Sequence, residues 1–118
     1  MIKLSIIIPS YNEAHFIKEL LQSIELFLNV KNEIIVVNNG SIDNTENILS
    51  SFSCKLINIP EKVSPSKARN IGASAATGDF LAFLDADVEI TKEWGAEVAN
   101  IISTTATEKL LLTGESCL

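Results

Sequence analysis

The sequence holds only two cysteines, Cys54 and Cys117, far apart and with no metal-ligand spacing. Two are too few for a disulfide framework, and a reduced, cytosolic setting is the simpler expectation. Positive charge is also scarce. Nine Lys and Arg stand against 15 Asp and Glu, a net charge of −6. That balance argues against a nucleic-acid partner, which normally meets a basic patch or stripe. It leaves room for a small anionic ligand, which a few placed cations and backbone N–H groups can hold. Long apolar runs are missing as well. The run that follows Met1-Ile2-Lys3 stops at Pro9, too short for a secretory signal. Nothing approaches the roughly 20 apolar residues of a membrane span. The expected location is cytoplasmic, with membrane association only through a remainder outside this chain. The single histidine, His15, falls in the first turn of a helix and reads as exposed and incidental.

What is present is a pattern. A chain of 118 residues, 47% hydrophobic, suits one globular domain spanning 1–118. Strand and helix signals alternate from the start. Leu4–Ile8 is a short apolar run closed by Pro9, as expected of a central strand buried on both faces. Asn12 is the expected N-cap of a helix whose apolar face carries Phe16, Ile17, Leu20, Leu21, Ile24, Phe27 and Leu28. Glu33–Val37 predicts a second strand, broken by the turn Asn38-Asn39-Gly40-Ser41. Asp43, with Glu46 three residues on, resembles a capping box for a helix that buries Ile48, Leu49 and Phe52. Lys55–Ile59 predicts a third strand. Ser64-Pro65 predicts the cap and first turn of a helix that presents Ala68, Ile71 and Ala75 and ends at Gly78. Phe80–Leu84 predicts a fourth strand, Thr91 the cap of a last helix with Trp94, Val98, Ile101 and Ile102, and Leu110–Thr113 a fifth strand.

Strand–helix alternation implies an α/β fold, a mostly parallel Rossmann-like sheet flanked by helices. In such sheets ligands bind beyond the carboxyl ends of the strands. That rule selects the loops after Ile8, Val37, Ile59 and Leu84. Asp85-Ala86-Asp87 places two carboxylates at a strand end, where hard divalent cations take oxygen ligands. A solvated turn gives the same short pattern. Pro9-Ser10-Tyr11-Asn12-Glu13 opens a helix N-terminus, suited to anions. There Tyr11 could stack on a flat base and Glu13 could contact a ribose. Asn38 and Asn39 offer donors and acceptors to a nucleobase edge. Lys67 and Arg69, with Asn70 beside them, bring positive charge to the same sheet edge, where a diphosphate could lie. Trp94 reads as core or cover rather than as a sugar platform.

Four blocks, Ser5–Glu13, Glu33–Thr45, Ala68–Gly72 and Gly78–Asp87, resemble family 2 glycosyltransferases in order and spacing, across nearly all of the chain up to Asp87. The resemblance implies a GT-A fold whose nucleotide-binding half is this chain, with the acceptor-binding half and the catalytic base expected beyond Leu118. It implies a nucleoside-diphosphate sugar, UDP-sugar favoured, an inverting displacement, and Mn2+ or Mg2+ as cofactor. By resemblance Asp87 binds the metal, with Asp85 beside it near the ribose or sugar. Pro9, Tyr11 and Glu13 line base and ribose, and Arg69 lies near the donor. Asn38 departs from the family, which usually has an Asp there. An Asn still accepts a hydrogen bond from a uracil N–H but carries no charge.

The rivals fail on missing residues. A dinucleotide binder needs G-x-G-x-x-G after its first strand, where this chain has Pro-Ser-Tyr-Asn-Glu. A nucleotidyltransferase would carry a glycine-rich, basic first loop. A response-regulator-like domain would carry acids there and an Asp after its third strand. The alternative that stays open is a truncated, non-catalytic nucleotide-binding or interaction module. An uncovered sheet edge would then invite homodimerisation.

Overall fold

The computed structural model describes residues 3–40, 45–104 and 111–113. Strand β1 (Leu4–Ser10) is followed by helix α1 (Ala14–Phe27), β2 (Asn32–Asn39), α2 (Thr45–Leu49), β3 (Lys55–Ile59), α3 (Pro65–Ser74), β4 (Phe80–Phe83), α4 (Lys92–Thr104) and β5 (Leu111–Thr113). The strands form one sheet in the order β3-β2-β1-β4-β5, with every pairing parallel. This is the α/β architecture expected from the alternation. Among the described residues no helix is long and apolar enough to cross a membrane.

Strand periodicity sorts the apolar residues onto two faces. Leu4, Ile6 and Ile8 of β1, Ile34 and Val36 of β2, and Phe80 and Ala82 of β4 pack against Ile17, Leu20, Leu21 and Ile24 of α1, Leu49 of α2, and Val98 and Ile102 of α4. Ile7, Ile35 and Val37 point the other way, onto Ala68 of α3. Helix α3 lies close to the sheet because Gly72 has no side chain. A Cβ there would run into the Ile7 Cγ2 and stand 2.9 Å from the Val37 Cγ2. Central strands covered on both sides need the continuous apolar runs seen in β1 and β2.

Several local expectations shift. Asn12 does not cap α1. It takes a left-handed φ of 50°, a conformation Asn tolerates better than most residues. Glu13 occupies the cap position, and its carbonyl accepts from the N–H groups of Phe16 and Ile17 at 2.9 and 3.1 Å. Phe16 is 47% exposed, because it sits one step off the Ile17-Leu20-Leu21-Ile24 stripe. Strand β2 runs two residues beyond Val37, so Asn38 and Asn39 are paired strand residues rather than a turn. Helix α3 ends at Ser74, not Gly78. The chain is drawn away there as the Thr77 N–H and hydroxyl donate to Glu33, at 2.6 and 3.0 Å, and the Gly78 N–H donates to the Ser5 hydroxyl at 2.8 Å.

The caps at Ser64 and Thr91 form as expected. The Ser64 hydroxyl accepts from the Lys67 N–H at 3.2 Å, and the Thr91 hydroxyl from the Trp94 N–H at 3.0 Å. Asp43, Leu110 and Cys117 lie outside the described residues.

Candidate functional site

At the carboxyl ends of β1, β2 and β4, a cleft of about 320 Å³ opens between the connecting segments. That volume falls at the small end of the range for ligand pockets. The segment after β1 contributes Pro9, Tyr11 and Glu13. The end of β2 contributes Asn39, helix α3 contributes Arg69, and the segment after β4 contributes Asp85 and Asp87. Seven residues singled out in sequence therefore meet around one space.

Each is placed by a short chain of causes. The Leu84 N–H donates to the Ile7 carbonyl at 3.0 Å, prolonging the β1–β4 ladder by one bond. Asp85 therefore leaves the sheet beside the end of β1. The Asp85 Oδ1 is 3.6 Å from Arg69 Nη2, and both side chains are about two-fifths exposed. An ion pair so exposed contributes little stability, about 0–1 kcal/mol. Its effect is to turn the guanidinium toward the cleft. Asp87 is exposed. Ala86 between them is buried and anchors the loop. The Glu13 carboxylate accepts from the Tyr11 N–H at 3.2 Å, closing the turn that carries the tyrosine.

Asn39 is 4% exposed and is used structurally. Its Oδ1 accepts from the Val63 N–H at 2.8 Å and its Nδ2 donates to the Val63 carbonyl at 3.0 Å. This two-way clamp fixes the loop between β3 and α3. Asn38 does not line the cleft. It is buried behind it, with Nδ2 donating to Asn58 Oδ1 at 3.1 Å. Its Oδ1 is buried with no hydrogen-bond partner among the described residues. Lys67 does not line the cleft either. Its side chain is exposed on the first turn of α3.

The fixed loop brings in Lys62, which the sequence reading passed over. Its Nζ lies 3.9 Å from the centre of the Tyr11 ring. Gly40, at φ 72°, sits against the Lys62 backbone, and a Cβ there would stand 2.7 Å from the Lys62 N. The signal was available, since the loop after Ile59 was one of the four selected by the strand-end rule. No residue in it stood out by type.

The remaining polar candidates fall away from the cleft. His15 is exposed, edge-on to Phe16 at 6.2 Å. Trp94 is half-buried against the core, as cover. Burial pushes the Cys54 thiol up, so it stays protonated at neutral pH and is a poor nucleophile.

A divalent cation fits the cleft by donor chemistry. Two carboxylates from one loop are suitable hard ligands. No group of three or more His, Cys, Asp or Glu able to hold a metal exists among the described residues. Asp85 and Asp87 are the residues that would hold it.

The sequence matches the model of glycosyl transferase family 2 over residues 5–108. It is 35% identical over 111 residues to glycosyltransferase AglE of Haloferax volcanii, covering 88% of this chain and 36% of that protein. It is 35% identical over 122 residues to the poly(ribitol-phosphate) beta-N-acetylglucosaminyltransferase TarS of Staphylococcus aureus, covering 95% of this chain and 21% of that protein. Among solved structures, TarS 1–349 in complex with UDP-GlcNAc superposes with a TM-score of 0.77 at 31% identity, covering 87% of this chain and 32% of that one. The mannosyltransferase PcManGT of Pyrobaculum calidifontis, in complex with GDP-Man and Mn2+, superposes with a TM-score of 0.75 at 25% identity, covering 85% of this chain and 32% of that one. The chain thus spans about a third or less of the length of these relatives. With the parallel sheet, the strand-end cleft and the family match together, this chain belongs to glycosyl transferase family 2.

Proposed function

We propose that this chain forms the donor site of an inverting glycosyltransferase that takes its sugar from a nucleoside diphosphate, UDP-sugar favoured, with a divalent cation. The observation that carries the reading is the convergence of Tyr11, Glu13, Arg69, Asp85 and Asp87 in one strand-end cleft.

The roles follow from position and chemistry. Tyr11 offers a partly exposed aromatic face on which a flat base can stack. Glu13 stands at the start of α1, where a ribose hydroxyl could reach its carboxylate. Asp87, with Asp85 beside it, would hold Mn2+ or Mg2+, and Arg69 would meet the diphosphate. When bound, the cation offsets charge growing on the departing phosphate oxygen. Arg69 would offset the same charge, and a cationic donor is worth most where charge develops. The reaction also needs a general base to take the acceptor's proton. No described residue is assigned that role.

Calorimetric titration of the chain with UDP and with GDP, with and without Mn2+, tests the reading. Metal-dependent binding is expected, with UDP tighter than GDP, and Asp87→Ala should abolish the metal dependence. A folded chain that binds neither nucleotide, or whose binding ignores both Mn2+ and the Asp87 substitution, would refute it.

A further inference from the structure

Among the described residues the cleft is lined by two cationic side chains in unlike situations. Arg69 already faces a carboxylate, at 3.6 Å from Asp85. Among the described residues Lys62 is paired with none: its Nζ rests on the Tyr11 ring at 3.9 Å, and it takes part in no ion pair there. Its backbone is held firmly for a loop residue. Gly40 packs on the Lys62 N, and the neighbouring Val63 is clamped at both backbone groups by buried Asn39. The root of the side chain is therefore fixed while the ammonium rests on an exposed ring. An exposed cation–aromatic contact is among the weaker attractions a lysine makes, and base stacking on an aromatic is stronger.

The acidic balance of the cleft points the same way. Among the described lining residues Glu13, Asp85 and Asp87 outnumber Lys62 and Arg69. A diphosphate entering beside three carboxylates needs every available cation, and a lysine ammonium serves as a mobile point charge for phosphate.

We propose that Lys62 is a displaceable donor-site residue: it covers the Tyr11 ring in the empty cleft and moves onto the diphosphate when a nucleotide base takes that ring. This deepens the donor-site reading and rests on it. The consequence is a division of labour by phosphate content. Lys62 competes with the base for Tyr11 yet contributes to binding only when phosphates are present.

The experiment compares UDP with uridine, both with Mn2+, on the wild-type chain and on Lys62→Ala, Lys62→Met and Lys62→Arg. Lys62→Met keeps most of the apolar stem and removes the charge, and circular dichroism checks that each variant is folded. UDP affinity should fall about tenfold in the Ala and Met variants, the size of one lost charge-assisted contact. Lys62→Arg should retain most of it. Uridine affinity should hold or rise in the Ala and Met variants, because Tyr11 is uncovered. Equal losses for UDP and uridine would place Lys62 on the base and overturn the proposal. Unchanged UDP affinity would overturn it as well. A folded wild-type chain that binds neither ligand would overturn the donor-site reading itself, an outcome distinct from either.

Discussion

Glu33, the second residue of β2, stands at the end of the sheet opposite the cleft and gathers partners from several segments. Its carboxylate accepts from the Ser5 hydroxyl at 2.5 Å and from the Thr77 N–H at 2.6 Å, and lies 3.2 Å from Lys55 Nζ. The side chain is only 11% exposed. Burial by itself pushes the carboxyl up. The hydrogen bonds from Ser5, Thr77 and Lys55 outweigh it and lower the group from 4.5 to about 2. At about 1.4 kcal/mol per pKa unit, that difference corresponds to roughly 3 kcal/mol of folded-state stability at neutral pH. Glu33→Gln keeps one acceptor and loses the charge, so about 2 kcal/mol is the expected loss. The folded pKa lies below the unfolded one. The stabilisation is therefore complete above about pH 4.5 and is lost as pH falls toward about 2. Urea unfolding of both proteins, followed by circular dichroism at pH 7 and near pH 2.5, measures the effect. The gap between midpoints should be wide at pH 7 and mostly closed at the acid end. Equal midpoints at pH 7, or a gap that ignores pH, would refute the reasoning.

Other outcomes follow from the same packing. Gly72→Ala should destabilise by about 1–3 kcal/mol despite alanine's better helix propensity, because the new methyl meets Ile7 and Val37; a variant as stable as wild type in urea would contradict the close approach of α3. Asn39→Ala removes both bonds to Val63 and should cost about 1–3 kcal/mol. It should also weaken UDP binding by loosening the loop that roots Lys62, and unchanged affinity by calorimetry would separate the clamp from the cleft. Asp87→Ala should leave the urea midpoint within about 0.5 kcal/mol of wild type, since an exposed side chain away from caps and core carries little stability.

Much of the scaffold was legible because its signals are local. Apolar runs of strand length, a helical stripe from Ile17 to Ile24, and caps at Ser64 and Thr91 depend on near neighbours in the chain. The strand-end rule pointed to loops from which Pro9, Tyr11, Glu13, Asn39, Arg69, Asp85 and Asp87 line one cleft. The errors have a common cause. Asn12 and Gly78 read as caps by type, yet the turn after β1 needed a left-handed residue and Glu33 drew Thr77 away from the helix. Lys67 and Lys62 are equivalent in composition, and only the fold decides which one faces the cleft.

The sequence by itself determined the alternation of strand and helix, the two-sided burial of the central strands, and the family to which the chain belongs. All three rest on residue type and spacing along one dimension. Tertiary structure alone decided the strand order, the structural use of Asn39, the burial of Asn38 behind the cleft, and the meeting of Lys62 with Tyr11. Those depend on contacts between segments far apart in the chain, where one glycine at 40 or 72 sets how closely two backbones approach.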